Sequence, residues 1–522
     1  MLPLQQDADV IGRATNAWAL VSVLCTQPNE LFNDDDPTCS FNLAAVAQQH
    51  PTVVARTLLY IAICIQQLPP DFGMTQLHIS DVDAVLVQYM STVVTLVTSD
   101  DDLVCRMEGL ECLLLLGLFH INAGNLRRAW LSFRRALNVA QLMGFHTDSS
   151  NPPLGPSATS SLPKRQMWDQ IIMADRYLGV ILGLPCGAED GCTGPDGAPN
   201  EPNIDLDWLF TRRVSIIAGR IIKRNQGGST RNFVATQVID EELESLAKEM
   251  PQSWWAIPQL VGAQRSVEVG EQFDRLLLQL WYYQLATLVH LPFMLRAATE
   301  RRCEYSKFCC LKASRQLILR YLALRRANNT QLCCRVADFA AFTATVILVI
   351  GSVNSSLGTE SLEAQQQREE DKTMILQVVT SMETLSANKR EQVAAQSVDV
   401  IKTLLLTDDP AGRTVGDLRV TIPHFGTISI DHNLVTLETL DERMPIAVQQ
   451  QHQAATGTVV DAQNWHSPPV DQSTVRPPVI PFPNSQLPSL GLEALMGGWE
   501  GTGTESVFFD SLLYTDLNGD WI

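Results

Sequence analysis

Positive charge is scarce in this chain: 38 lysines and arginines stand against 57 aspartates and glutamates over 522 residues, a formal net charge of -19. A surface this acidic does not bind nucleic acid by neutralising phosphates, so DNA is expected to be reached only indirectly or through another module. Metal-ligand spacing is missing too. The 12 cysteines contain no C-x2-C pair, the spacings Cys105 to Cys112, Cys186 to Cys192 and Cys303 to Cys309 fit no closed tetrahedral site, and the 9 histidines include no H-E-x-x-H. Phosphate-binding loops, dinucleotide fingerprints and the G-x-S-x-G elbow are absent as well. Ser161 to Lys164 fits S-x-x-K only formally, because Pro163 and a loop-like context argue against the turn that would bring the lysine beside the serine. Asp516 to Asp520 has the start of a calcium loop, but Ile522 arrives before a closing carboxylate. Catalysis has no support here, and the expectation is a non-enzymatic protein with no cofactor or metal in this chain.

Marks of export and of a membrane span are lacking as well. The opening MLPLQQDADVIGR has no basic patch followed by an apolar stretch and a small-residue cleavage site, so secretion is not expected. The adjacent pairs Cys309-Cys310 and Cys333-Cys334, and the cysteines in apolar runs, read as reduced packing residues of a cytosolic or nuclear chain, which makes the sequons at Asn328 and Asn354 accidental. Phe339 to Thr359 carries no charge, but Ser352, Asn354, Ser355 and Ser356 fill its second half, so a buried core helix is expected rather than a membrane partner.

What the sequence does have is helical periodicity. From about residue 10 to 406 apolar residues recur at helical spacing, as at Leu58, Leu59, Ala62 and Ile65 or Leu110, Leu113, Leu114 and Gly117, and several helices are apolar on nearly every side. The fold class is therefore all-α: a large helical domain over residues 1-435, with loops expected at 148-163 and 185-203. Alternation of Val420, Ile422, Ile428 and Ile430 around Pro423 and Gly426 predicts a minor β appendage of two short strands near 419-430. Residues 436-522 read as a Pro/Gln-rich linker followed by an acidic-aromatic segment, extended or disordered.

Two helices stand out. In residues 123-146, Leu126, Ala129, Trp130, Phe133, Ala136, Leu137, Ala140 and Met143 form one stripe that Gly144 ends, with Arg127, Arg128, Arg134 and Arg135 opposite. Those arginines form either a nucleic-acid or import patch or, as the acidic balance favours, a solvated face salt-bridged to acidic neighbours. In residues 164-187, Asp175 and Arg176 interrupt the apolar sequence ahead of Tyr177, and Pro185 ends the helix. Charges placed there are expected to be paired and to fix how two helices dock, since an unpaired buried ion costs several kcal/mol.

The run GNLRRAWLSFRRALNVAQLMGFH followed by MWDQIIMADRYLGVILGLP resembles the paired signature of the fungal-specific transcription factor domain, the helical middle homology region of fungal zinc-cluster regulators. The helix at Asp338, Phe339 and Phe342 and the piece IPHFGTI are similar to later parts of such proteins. The resemblance covers about residues 10-435. It implies a nuclear regulator of RNA polymerase II genes of a metabolic or secondary-metabolite pathway, working with coactivators or the transcription machinery. The six-cysteine zinc cluster of such regulators is missing from these residues, so zinc and direct DNA contact are expected only if such an N-terminal module is restored. At the other end no basic residue follows Arg476, and acidic residues interleave with Phe508, Phe509, Leu512, Leu513, Tyr514 and Trp521. These read either as an activation segment that folds onto a coactivator groove or as a helix that docks back on the body. A helical scaffold without a role in transcription is the alternative reading of the whole chain; oligomeric state is not legible.

Overall fold

Helices apolar on every side and helices with a single apolar stripe must bury different amounts of surface, and the fold sorts them accordingly. The computed structural model describes residues 2-15, 42-68, 72-79, 81-150, 158-189, 206-226, 233-258, 260, 267-297, 300-326, 335-353, 362-386 and 392-407, and the backbones of three strands between 418 and 438. In chain order the helices are α1 (Gln5–Ala14), α2 (Leu43–Val46), α3 (Pro51–Gln66), α4 (Val82–Val93), α5 (Asp101–Val104), α6 (Met107–Asn122), α7 (Leu126–Leu142), α8 (Phe145–Ser150), α9 (Ala158–Leu182), α10 (Leu206–Gln226), α11 (Phe233–Glu249), α12 (Val267–Met294), α13 (Glu304–Arg326), α14 (Arg335–Val353), α15 (Leu362–Ser386) and α16 (Gln392–Thr407). A π-helical turn, Val94–Thr98, continues α4. The all-α expectation for the body holds.

Among the described residues the core has two large parts that meet across α6, besides a small cluster of Phe293, Ala297 and Cys303. Leu110, Leu113 and Leu114 enter the larger cluster, built on α7 and on α9 to α16, while Cys112, Leu115 and Leu116 enter a second one with α1, α3 and α4. A helix that is apolar all round is thereby buried all round; each such leucine contributes roughly 1.5–3 kcal/mol. Helix α14 is the other example. Phe339, Phe342 and Val346 to Ile350 are buried, and 83% of its apolar window Arg335–Ser352 lies inside the protein. This is the core helix that the serines and asparagine at its end predicted.

Among the elements, the sequence reading differs from the structure at the expected 148-163 loop, whose residues 148-150 and 158-163 are helical, and at the β appendage. Helix α9 starts at Ala158, so Ser161 to Lys164 have helical backbone where a loop was expected, and Pro163, past the first turn, leaves one backbone carbonyl of that helix without its N–H donor. The β appendage has a third strand. Strands β1 (Leu418–Ile422), β2 (Gly426–Asp431) and β3 (Leu434–Glu438) pair antiparallel in the order β1-β2-β3, with Ile422 opposite Gly426 and Asp431 opposite Leu434. Residues 439-522, with Phe508, Phe509, Leu512, Leu513, Tyr514 and Trp521, lie outside the described residues.

Candidate functional site

The two signature helices pack against each other. The chain enters α7 through Gly124, whose φ of 79° suits a residue without Cβ, and leaves it at Gly144, φ 83°. Leu126, Ala129, Phe133, Ala136, Leu137 and Ala140 are buried along the predicted stripe, whereas Trp130 and Met143 sit at its edge, half-buried against the larger cluster. Phe133 fills a notch in α6: a Cβ on Gly117 would come within 2.5 Å of its ring.

Helix α9 closes with Gly183 at φ 68° and the Leu184 N–H on the Gly179 carbonyl at 2.9 Å, the six-to-one bond of a Schellman motif. Pro185 then turns the chain back toward α7. The Pro185 carbonyl accepts from the Arg134 guanidinium, and Gly187 approaches so closely that a Cβ there would meet Leu137 at 2.3 Å and Arg134 at 2.7 Å.

The charged interruption of α9 is the centre of the site. Successive residues of an α-helix point about 100° apart, and Asp175, Arg176 and Tyr177 accordingly reach three different neighbours. Asp175 pairs through Oδ1 with Arg134 Nε of α7 at 2.8 Å and accepts the Gly187 N–H on Oδ2 at 2.8 Å. Arg176 donates to the Ser215 carbonyl of α10 at 3.1 Å and to the Ala188 carbonyl at 3.4 Å. Tyr177 donates to Gln284 Oε1 of α12 at 2.8 Å, and its ring meets Trp281 edge-on at 5.5 Å. Burial pushes the Asp175 carboxyl above its ordinary value, opposed by Arg134, the Gly187 N–H and Arg176. Upstream on the same helix, Asp169 accepts from Trp208 Nε1 at 3.1 Å and lies 3.7 Å from Arg212 Nε, both on α10. Burial raises its carboxyl to about 6 against the pull of Arg212, Arg165 and the Trp208 bond.

The arginine face resolves into separate roles. Arg134 leans inward across the Trp130 ring, 4.6 Å from its centroid, to reach Asp175, so it belongs to the interior junction and not to the solvated face on which its position on the helical wheel put it. Arg135 pairs with exposed Asp101 of α5 at 2.9 Å. Arg127 is half-buried and Arg128 exposed. A comparable inner charge marks the later region of resemblance: Asp338, on α14, accepts from Tyr321 at 2.8 Å and pairs with Arg325 of α13. Partners such as Gln284, Ser215 and Trp208 carried no local signal, because each is selected by the packing of another helix, whereas Gly187 comes from the segment just after α9.

Such an arrangement holds helices in register and neutralises buried charge. Comparison with known proteins gives it a context. The chain is 33% identical over 459 residues to transcription factor sdnS of Sordaria araneosa, covering 83% of this chain and 58% of that protein. It is 33% identical over 469 residues to the dehydrocurvularin biosynthesis regulator of Aspergillus terreus, covering 82% and 63%. A more distant relative, 22% identical over 71% of this chain and 50% of its own length, is the Zn(2)-C6 fungal-type transcription factor pigI of Monascus ruber. No family model and no solved structure matches the chain. The proteins it is similar to are thus named fungal transcription factors and biosynthesis regulators, one of them of the Zn(2)-C6 type. The chain spans 58% and 63% of the lengths of the first two relatives named.

Proposed function

We propose that this chain is the regulatory body of a nuclear, non-enzymatic transcription regulator that controls RNA polymerase II genes of a secondary-metabolite pathway. The observation that carries the reading is the identity with named regulators over more than four fifths of the chain. In this reading residues 1-435 form the regulatory domain, and the junction of α7, α9, α10 and α12 keeps it in one arrangement. DNA is contacted through a zinc-cluster module or a partner protein, since these residues combine a charge of -19 with no zinc-cluster spacing. The acidic-aromatic segment holding Phe508, Phe509, Leu512, Leu513, Tyr514 and Trp521 recruits coactivators by placing its apolar side chains in a groove, while its carboxylates supply solubility and steering.

The test is genetic. Deleting the gene should silence one co-regulated set of biosynthetic genes, and a tagged protein should be enriched in chromatin at their promoters; an unchanged transcriptome would overturn the proposal. Fusing residues 477-522 to an unrelated DNA-binding domain separates the tail from the rest. Reporter activation is expected, and changing Phe508, Phe509, Leu512 and Trp521 together to Ala should abolish it.

A further inference from the structure

Away from the signature helices, three helices bring together side chains that share no sequence spacing. Asp240 of α11, His290 of α12 and Cys309 of α13 place one carboxylate oxygen, one imidazole nitrogen and one sulfur within 4.8 Å of one another. His290 Nε2 lies 3.0 Å from Asp240 Oδ1, and its Nδ1 lies 3.3 Å from the hydroxyl of buried Ser306. Tyr305 donates to the other Asp240 oxygen at 2.9 Å. His290 is 2% exposed, whereas Tyr305 is 47% exposed, so the cluster has a buried floor and a route in from solvent.

The geometry points to a divalent metal site of the zinc class formed by Asp240, His290 and Cys309, clamping α11, α12 and α13 together. One thiolate, one imidazole and one carboxylate are the mixed donor set that a borderline ion such as Zn²⁺ accepts, leaving a fourth tetrahedral position for water on the Tyr305 side. With Zn–ligand bonds of about 2.0–2.3 Å, tetrahedral donors stand roughly 3.3–3.7 Å apart, so small side-chain rotations convert the present cluster into a coordination shell. Binding forms a Zn–S bond and releases the Cys309 thiol proton to solvent, with no change of oxidation state. The imidazole offers the Nε2 lone pair to the metal when its proton sits on Nδ1, where Ser306 Oγ accepts it; this is the outer hydrogen bond that orients a ligating histidine. Asp240 is already oriented by the hydrogen bond from Tyr305. The site is independent of the Arg134–Asp175 junction and does not rest on the transcription reading.

The experiment is a Co²⁺ titration of the reduced full-length chain, read by absorption, with Zn²⁺ competition and thermal melting in parallel. The wild type should show a thiolate-to-cobalt charge-transfer band, lose it to Zn²⁺ and melt higher with Zn²⁺ than without. Cys309→Ala should lack that band and the Zn²⁺-dependent rise in melting temperature, while melting like the wild type without metal. Asp240→Asn should bind at least about tenfold more weakly, and Ser306→Ala about tenfold more weakly, by loss of the outer bond. Tyr305→Phe, which keeps all three ligands, should retain the band. Equal bands in the wild type and Cys309→Ala, no band in the wild type, or a band lost in Tyr305→Phe would each overturn the assignment.

Discussion

Arg134 and Arg135 are neighbours on α7, yet one belongs to the interior and the other to the rim. Arg134, with 21% of its side chain exposed, meets a carboxylate that is 1% exposed; Arg135, 37% exposed, meets one that is 86% exposed. Both pairs are close ion pairs, so distance does not distinguish them. The difference is the alternative available to each carboxylate. Asp101 without its arginine is simply hydrated, whereas Asp175 would keep the Gly187 N–H but lose its principal counter-charge in a place water hardly reaches. The contribution of an ion pair is set by what its surviving partner would otherwise face.

The largest effect is therefore expected at the inner pair. Arg134→Ala should destabilise the body by about 3 kcal/mol at neutral pH, somewhat less than a fully buried pair because Arg134 is partly exposed. The loss should shrink as pH falls. Burial already raises the Asp175 carboxyl in the folded state, and removing the cation raises it further, so the variant's folded form takes up a proton more readily than its unfolded form. Stability tied to such a group falls as pH rises through the window between the two values. The gap to the wild type in chemical denaturation should be widest near pH 7 and narrowest in the ordinary carboxylate range; a gap that does not change with pH would break the comparison.

Asp169, on the same inner side of α9, sharpens it. With its carboxyl raised from 3.8 to about 6 by burial, its contribution should fall by about 2–3 kcal/mol as pH rises from about 4 to 6 and then level off. Asp169→Asn keeps an acceptor for Trp208 and should remove that slope. His120 slopes the other way: burial, helped by Arg128, lowers it to about 4, so its contribution grows with pH up to the usual histidine range. The midpoint of Asp169→Asn should consequently climb with pH relative to the wild type, and parallel curves would refute the assignment. Gly187→Ala comes next. Its Cβ would press on Leu137 and Arg134; Leu137 is a buried core side chain with little freedom to move, so a loss of about 1–2 kcal/mol is expected in thermal melts.

How much of this was legible follows from the same contrast. The stripe from Leu126 to Ala140 was readable because helical periodicity records which face is dry. That Asp175 and Arg176 would be paired was readable because charges inside an apolar run need partners. Which partners was not: Ser215, Gln284 and Arg134 are chosen by the packing of other helices, and a long arginine side chain can leave the polar face of its own helix to reach an interior carboxylate. The Asp240, His290 and Cys309 cluster was invisible for the same reason, since its members come from three helices and share no spacing. The third strand, Leu434–Glu438, lies beyond the alternation that ends at Ile430, and only Val435 and Leu437 carry a period-two apolar signal of their own.

The smallest effect tests the rim. Arg135 Nη2 and Asp101 Oδ1 are 2.9 Å apart, but Asp101 is almost fully hydrated and lies in the first turn of α5, where backbone N–H groups favour an acidic residue whether or not an arginine is near. Arg135→Ala should therefore cost no more than about 0.5 kcal/mol, and a double-mutant cycle with Asp101→Asn should give a coupling of about 0.2–1 kcal/mol at low salt that fades as salt is raised. Arg134→Ala under the same conditions should respond much less to salt, because the field between Arg134 and Asp175 runs through protein. If the two arginines instead gave equal losses with equal salt dependence, α7 would have to be rotated from its present packing, and the separation of an inner from an outer arginine would fail at its first step.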